Sequence, residues 1–99
     1  MRAQETFPAL STAFDPLDMQ LAGALRAAAA AGTVKSQPLF EAVCRYVRDA
    51  RSRDVPAAEV VTALDRRARP HLTSLPSFLR REFERQLAWW VAHEYHRDD

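Results

Sequence analysis

His93 and His96 stand three residues apart near the C-terminus, with Glu94, Asp98 and Asp99 around them. They are the one cluster of metal-ligand types in the chain. An i,i+3 pair of imidazoles can share a helix face and offer nitrogens to Zn²⁺ or Ni²⁺. Yet His-Glu-Tyr-His is not the His-Glu-x-x-His spacing that places a glutamate beside metal-bound water. The sequence therefore predicts surface histidines at a helix end, where imidazolium suits the dipole, and no bound metal or other cofactor. Cys44 is the single cysteine. It lies beside Phe40 and Val47 in an apolar pattern, Arg45 and Arg48 point away from that side, and His71 has no positional cue pairing it to the thiol. A nucleophilic thiolate needs a lowered pKa and a base, so Cys44 reads as a buried structural residue. Two isolated glycines, Gly23 and Gly32, cannot cradle a phosphate. No catalytic residue emerges, and the expectation is a protein that is not an enzyme.

Binding is the better-supported class. Thirteen of the fourteen basic residues are arginine, and they concentrate in the middle of the chain. Residues 45–85 carry a net charge of +4, against −1 before them and −2 after. Arg45, Arg48, Arg66, Arg67, Arg69, Arg80 and Arg81 can serve as phosphate contacts if the second and third helices form a helix-turn-helix. The start of that third helix, Pro56-Ala57-Ala58-Glu59, is small and acidic where base-reading residues belong, and the turn before it lacks the customary glycine. A solvated basic face is the simpler account. Eighteen alanines beside the arginines also match the coding preference of a GC-rich genome.

Trp89 and Trp90 are adjacent, so on a helix they point about 100° apart and one narrow apolar stripe does not cover both. Trp90 continues the line of Leu79, Phe83 and Leu87, and Glu94 extends it. Trp89 lies nearer Glu82, Gln86 and His93. Either the N-terminal segment or the first helix wraps round to cover it, or Trp89, flanked by Tyr95 and Arg85, anchors another protein or a second copy of the chain.

The elements that position these residues are announced by proline. Pro16, Pro38, Pro56 and Pro76 each stand at or just before a run of helical periodicity, where a missing N–H and a fixed φ do no harm. The first helix opens at Asp15-Pro16, carries Leu17, Leu21, Leu25 and Ala28 inward, and ends at Gly32. Ser36 caps the second, with Leu39, Phe40, Val43, Val47 and Ala50 inward. Glu41, Arg45, Arg48, Asp49 and Arg51 face outward, with i,i+4 pairs Glu41–Arg45 and Arg45–Asp49. Asp54 caps the third helix, which turns Ala57, Val61, Leu64 and Ala68 inward until Pro70 stops it. Ser74 or Ser77 caps the fourth and longest, which runs to about Tyr95 with Phe78, Val91 and Tyr95 beside its core line.

The chain has 99 residues, enough to bury a core without metal or disulfide. The expected fold is all-α: a compact four-helix arrangement spanning residues 15–96, a leader over 1–14 partly docked by Phe7, Leu10 and Phe14, and a frayed end at 97–99. No signal peptide and no bilayer-spanning run is visible, and one cysteine suits a reducing compartment, so a cytoplasmic location without membrane partners is expected. The stretch Arg48 to Leu64, R-D-A-R-S-R-D-V-P-A-A-E-V-V-T-A-L, resembles a segment of small helical bacterial proteins of unknown role, which implies a helix, a proline turn and a helix but no activity. The functional expectation is a small non-catalytic interaction or regulatory module acting by protein contact, with another protein or as a homodimer. The alternative is a nucleic-acid-binding regulator using the arginine-rich middle.

Overall fold

A computed structural model describes residues 16–97. The leader, the cap expected at Asp15 and the last two residues lie outside the described residues. Four α-helices account for the fold: α1 (Pro16–Ala31), α2 (Gln37–Ser52), α3 (Ala57–Leu72) and α4 (Ser77–Tyr95), with no strand among the described residues. The class expected from the proline punctuation is the class observed.

Two of the helices end in the same device. After α1, Gly32 takes a φ of 70°, Thr33 N–H reaches the Ala28 carbonyl and Gly32 N–H reaches that of Ala29. This is the Schellman pairing, which needs one residue in the left-handed region. After α2 the same 6→1 bond runs from Val55 N–H to the Ala50 carbonyl, and the left-handed residue is Asp54, with φ of 62°. Asp54 therefore terminates α2 and does not cap α3, contrary to the sequence expectation. It occupies the position of the missing turn glycine, and aspartate is among the few residues that tolerate that conformation.

The remaining start signals divide. Ser36 is extended and its Oγ accepts a 3.3 Å bond from Leu39 N–H, as expected of a cap. Neither Ser74 nor Ser77 caps α4; Pro56 and Pro76 themselves occupy the cap positions of α3 and α4, with no side-chain bond. Pro70 does not stop α3, which runs on to Leu72. It sits in the last turn, where its absent N–H forfeits a single bond to Arg66, and the fully buried Leu72 holds that turn in the core.

The core is built from Leu21, Leu25 and Ala28 of α1, Leu39, Val43 and Val47 of α2, Val60, Leu64, Ala68 and Leu72 of α3, and Phe83, Leu87 and Val91 of α4. The inward line of α3 thus passes through Val60, with Ala57 and Val61 at its edge. Leu17 is half-buried, and Phe40, expected inward, is exposed at the rim with Trp90 meeting it edge-on at 5.4 Å. Phe78, expected beside the core line, is 65% exposed.

The packing order is not the chain order. α1 packs on α2 and α3, α4 packs on α2 and α3, and α1 and α4 do not meet. The consecutive helices α2 and α3 touch only marginally. The contacts Phe40–Trp90, Arg48–Glu94 and Arg51–Tyr95 advance together along both helices, so α2 and α4 run side by side in the same sense.

Candidate functional site

The place where α2 and α4 meet at their C-terminal ends holds the only buried charge among the described residues. Glu94 is 4% exposed. It lies on the apolar line of α4, one turn beyond Val91, so its carboxylate is carried into the interior and needs partners there. Arg48 Nε stands 3.1 Å from Oε2 and Arg97 Nη1 stands 3.4 Å from Oε1. The thiol of Cys44, buried on α2, lies within the electrostatic reach of the carboxylate. Burial pushes the thiol pKa up, and the Glu94 charge pushes it further, outweighing Arg48 and Arg97. Cys44 is therefore held as a neutral thiol, the opposite of what a nucleophile requires.

Around this knot the C-terminal end of α4 is tied down. Arg51, expected to face outward, donates 3.0 Å bonds to the carbonyls of Tyr95 and Arg97, closing the last turn of α4 with a cation where the dipole favours one. Tyr95 donates its hydroxyl to the Val55 carbonyl across the α2–α3 turn. One signal of this cluster was visible in the sequence, namely a glutamate on a core line. Arg97 is close in sequence, but Arg48 and Arg51 lie more than forty residues away and their direction depends on how α2 and α4 pack.

Few of the arginines grouped as phosphate contacts are left to solvent alone. Arg45 donates to Gln20 Oε1 at 3.3 Å, and Arg48 is held by Glu94. Arg67 forks onto both carboxylate oxygens of Asp18, at 3.0 and 3.3 Å, and lies 5.4 Å from the centre of the Tyr46 ring. Arg69 pairs with Asp65 at 2.9 Å, and Arg80 reaches the Leu75 carbonyl. Arg66 and Arg81 are exposed with no acidic partner among the described residues. Neither expected i,i+4 pair of α2 forms: Glu41 accepts from Gln37, and Asp49 takes Arg53 at 2.6 Å.

The outer face of α4 is different in kind. Trp89 is 58% exposed. Its indole lies nearly parallel to the His93 ring, 4.9 Å between centroids and 11° between planes. The two make a flat plate on a helix that α1 never approaches, so the first helix does not cover it. Arg85, one turn before Trp89, is exposed on the same side. Tyr95 is not; half-buried and bonded to Val55, it belongs to the knot at the helix end, with His96 meeting its ring edge-on. Among the described residues, no group of three metal-ligating side chains gathers anywhere.

A further hollow of about 290 Å³ lies between α3 and α4, lined by Val61, Leu64, Leu87, Ala88 and Val91, with Thr62, Asp65 and Glu84 at its edge. It lacks the converging polar groups that orient a small ligand.

Fold and site together define a small all-α domain with a closed polar knot on one side of α4 and an open aromatic plate on the other. Among the described residues, no helix is long and apolar enough to cross a membrane. The chain matches no protein-family model, no characterised protein and no solved structure with which it was compared.

Proposed function

We propose that the protein is a non-catalytic interaction module in the cytoplasm of its host, acting by protein contact through the outer face of α4. One observation carries this reading. Trp89 exposes more than half of a large, rigid, amphipathic surface and is pre-stacked on His93. Exposed tryptophan is expensive to leave in water and is the residue type most often found at the energetic centre of interfaces. The polar knot at Glu94 supports the same reading from the other side, because it keeps the one thiol neutral and ties the helix end to the fold. Nucleic-acid binding has less behind it: Arg67, Arg69 and Arg48 are paired with acids, and α2 and α3 scarcely pack as a helix-turn-helix pair would.

Protein contact and phosphate contact separate by salt. Arginine–phosphate binding weakens steeply with ionic strength, whereas an aromatic-centred interface changes little. The test is capture by the whole protein, as bait, of partners or of differently tagged copies of itself at low and high salt, beside Trp89→Ala. Salt-resistant capture lost on Trp89→Ala is the expected result. Submicromolar duplex-DNA binding that salt removes, and that disappears when Arg66, Arg67 and Arg69 become alanine, would overturn it.

A further inference from the structure

Five residues of α4 and the residue that caps its end recur at alternating spacings of four and three: Phe78, Glu82, Arg85, Trp89, Ala92 and His96. All six are exposed. That spacing keeps one seam in line along a helix and is how a helix presents itself to another helix. Phe78 and Trp89, 65% and 58% exposed, are among the few large apolar side chains described that face solvent, with Met19 on α1 and Phe40 on α2, and these two share one seam three turns apart. Two exposed rings on one line, with an arginine between them, are not covered by any other helix among the described residues.

The order of residue types along the seam names the occupant. A parallel second copy would set Arg85 against Arg85 and Glu82 against Glu82, placing like charges face to face. An antiparallel copy whose two-fold axis passes midway between Arg85 and Trp89 does the reverse. Arg85 of each copy then lies on Trp89 of the other, twice, as a cation on an aromatic face. Glu82 comes level with Ala92 and next to His93 of the other copy, and Phe78 comes level with His96. Every contact is repeated by symmetry, which is what an isologous interface demands. The Trp89–His93 stack already holds the plate flat in the single chain, so little side-chain freedom remains to be lost on pairing.

Resting on the reading of the outer face of α4 as a contact surface, we infer that its partner is a second copy of this chain, paired antiparallel along α4 with Arg85 and Trp89 exchanged across a two-fold axis. One helix pair makes a small, rim-rich interface, so the dimer is a weak one, dissociating at roughly micromolar to tens of micromolar concentration.

Sedimentation of the full chain over a concentration series tests it. Wild type should pass from monomer to dimer in that range. Trp89→Ala should raise the midpoint about tenfold or more, as a hot-spot tryptophan does, and Arg85→Glu should weaken it as well, both with unchanged helical circular dichroism. The register is read by oxidising a mixture of Glu82→Cys and Ala92→Cys proteins; Cys44 is buried and stays out of the reaction. The mixed Glu82→Cys to Ala92→Cys disulfide should dominate over the two self-disulfides. A chain that stays monomeric throughout, a dimer indifferent to Trp89→Ala, or preferred self-disulfides would each overturn the proposal. Loss of dimerisation alone, with Trp89-dependent capture of another protein intact, removes this inference and leaves the proposed function standing.

Discussion

The two sides of α4 are made of similar residues and do opposite things. Facing inward are Phe83, Leu87, Val91 and Glu94, all buried, the last a charge whose partners come from α2 and from just beyond the helix end. Facing outward are Phe78, Arg85, Trp89 and His96, all exposed. Each side mixes aromatic, apolar and charged groups, so composition does not tell them apart. Satisfaction does. Inside, no buried side-chain polar atom among the described residues lacks a hydrogen-bond partner. Outside, an indole rests on an imidazole with its other face in water. A side chain's role in this helix is decided by whether the rest of the chain supplies its partner.

The comparison breaks most visibly at the centre of the inner side. Phe83 is fully buried, and Phe83→Ala should destabilise by about 3–5 kcal/mol through lost burial and the cavity left behind. Chemical denaturation measures this. A cost below about 0.5 kcal/mol, as at a surface site, would mean that the faces are assigned the wrong way round.

Glu94 comes next. Glu94→Ala strips a carboxylate acceptor from Arg48 and Arg97, and should cost about 1–3 kcal/mol. Both arginine side chains are more than half exposed, so water recovers part of the loss. The same knot sets a pH dependence. The folded thiol pKa is raised, so its contribution is complete below the ordinary thiol value and is lost as pH climbs from there through the folded value. Burial raises the Tyr46 hydroxyl as well, so its contribution falls away in the alkaline range too. Stability should therefore decline on the alkaline side, and Cys44→Ser should flatten the first part of that decline in melts recorded across pH. An unchanged slope in the serine variant would dissociate Cys44 from the knot.

The turn after α2 gives a smaller effect of opposite sign. Asp54 sits in a left-handed conformation that glycine adopts without penalty. Asp54→Gly should raise stability by about 0.5–1 kcal/mol, the strain relieved exceeding the entropy gained by the unfolded chain. Destabilisation would show that the aspartate side chain contributes something more than its backbone angle.

These residues also show where sequence reasoning stops. Proline punctuation marked all four helices because each proline acts locally, through a missing N–H and a fixed φ. The Ser36 cap and the Gly32 stop were legible for the same reason. The role of Asp54 is not legible, since capping the next helix and closing the previous one use the same residue types, and only the backbone angle separates them. Pro70 does not end α3 because its cost depends on position within the helix, and Leu72 gains enough burial to carry α3 past it. The knot was half legible: a glutamate on a core line signals a buried partner, but Arg48 and Arg51 are brought to it by the side-by-side packing of α2 and α4, which no local pattern encodes. Trp89 was legible as a residue left over from the stripe; its stacking on His93 follows from i,i+4 geometry on a helix face that no other described helix covers.

Thermal unfolding of wild type and Trp89→Ala, each measured from dilute to concentrated solution, tests the division between the two sides most directly. A residue that serves contact and not folding leaves the dilute melting temperature unchanged, while a dimer makes the melting temperature rise with concentration. The expected result is coincident curves when dilute, with the wild-type curve alone climbing as concentration increases. A Trp89→Ala protein that melts far below wild type even in dilute solution would make Trp89 part of the fold and contradict the account; coincident curves at every concentration would contradict pairing of the chain with itself.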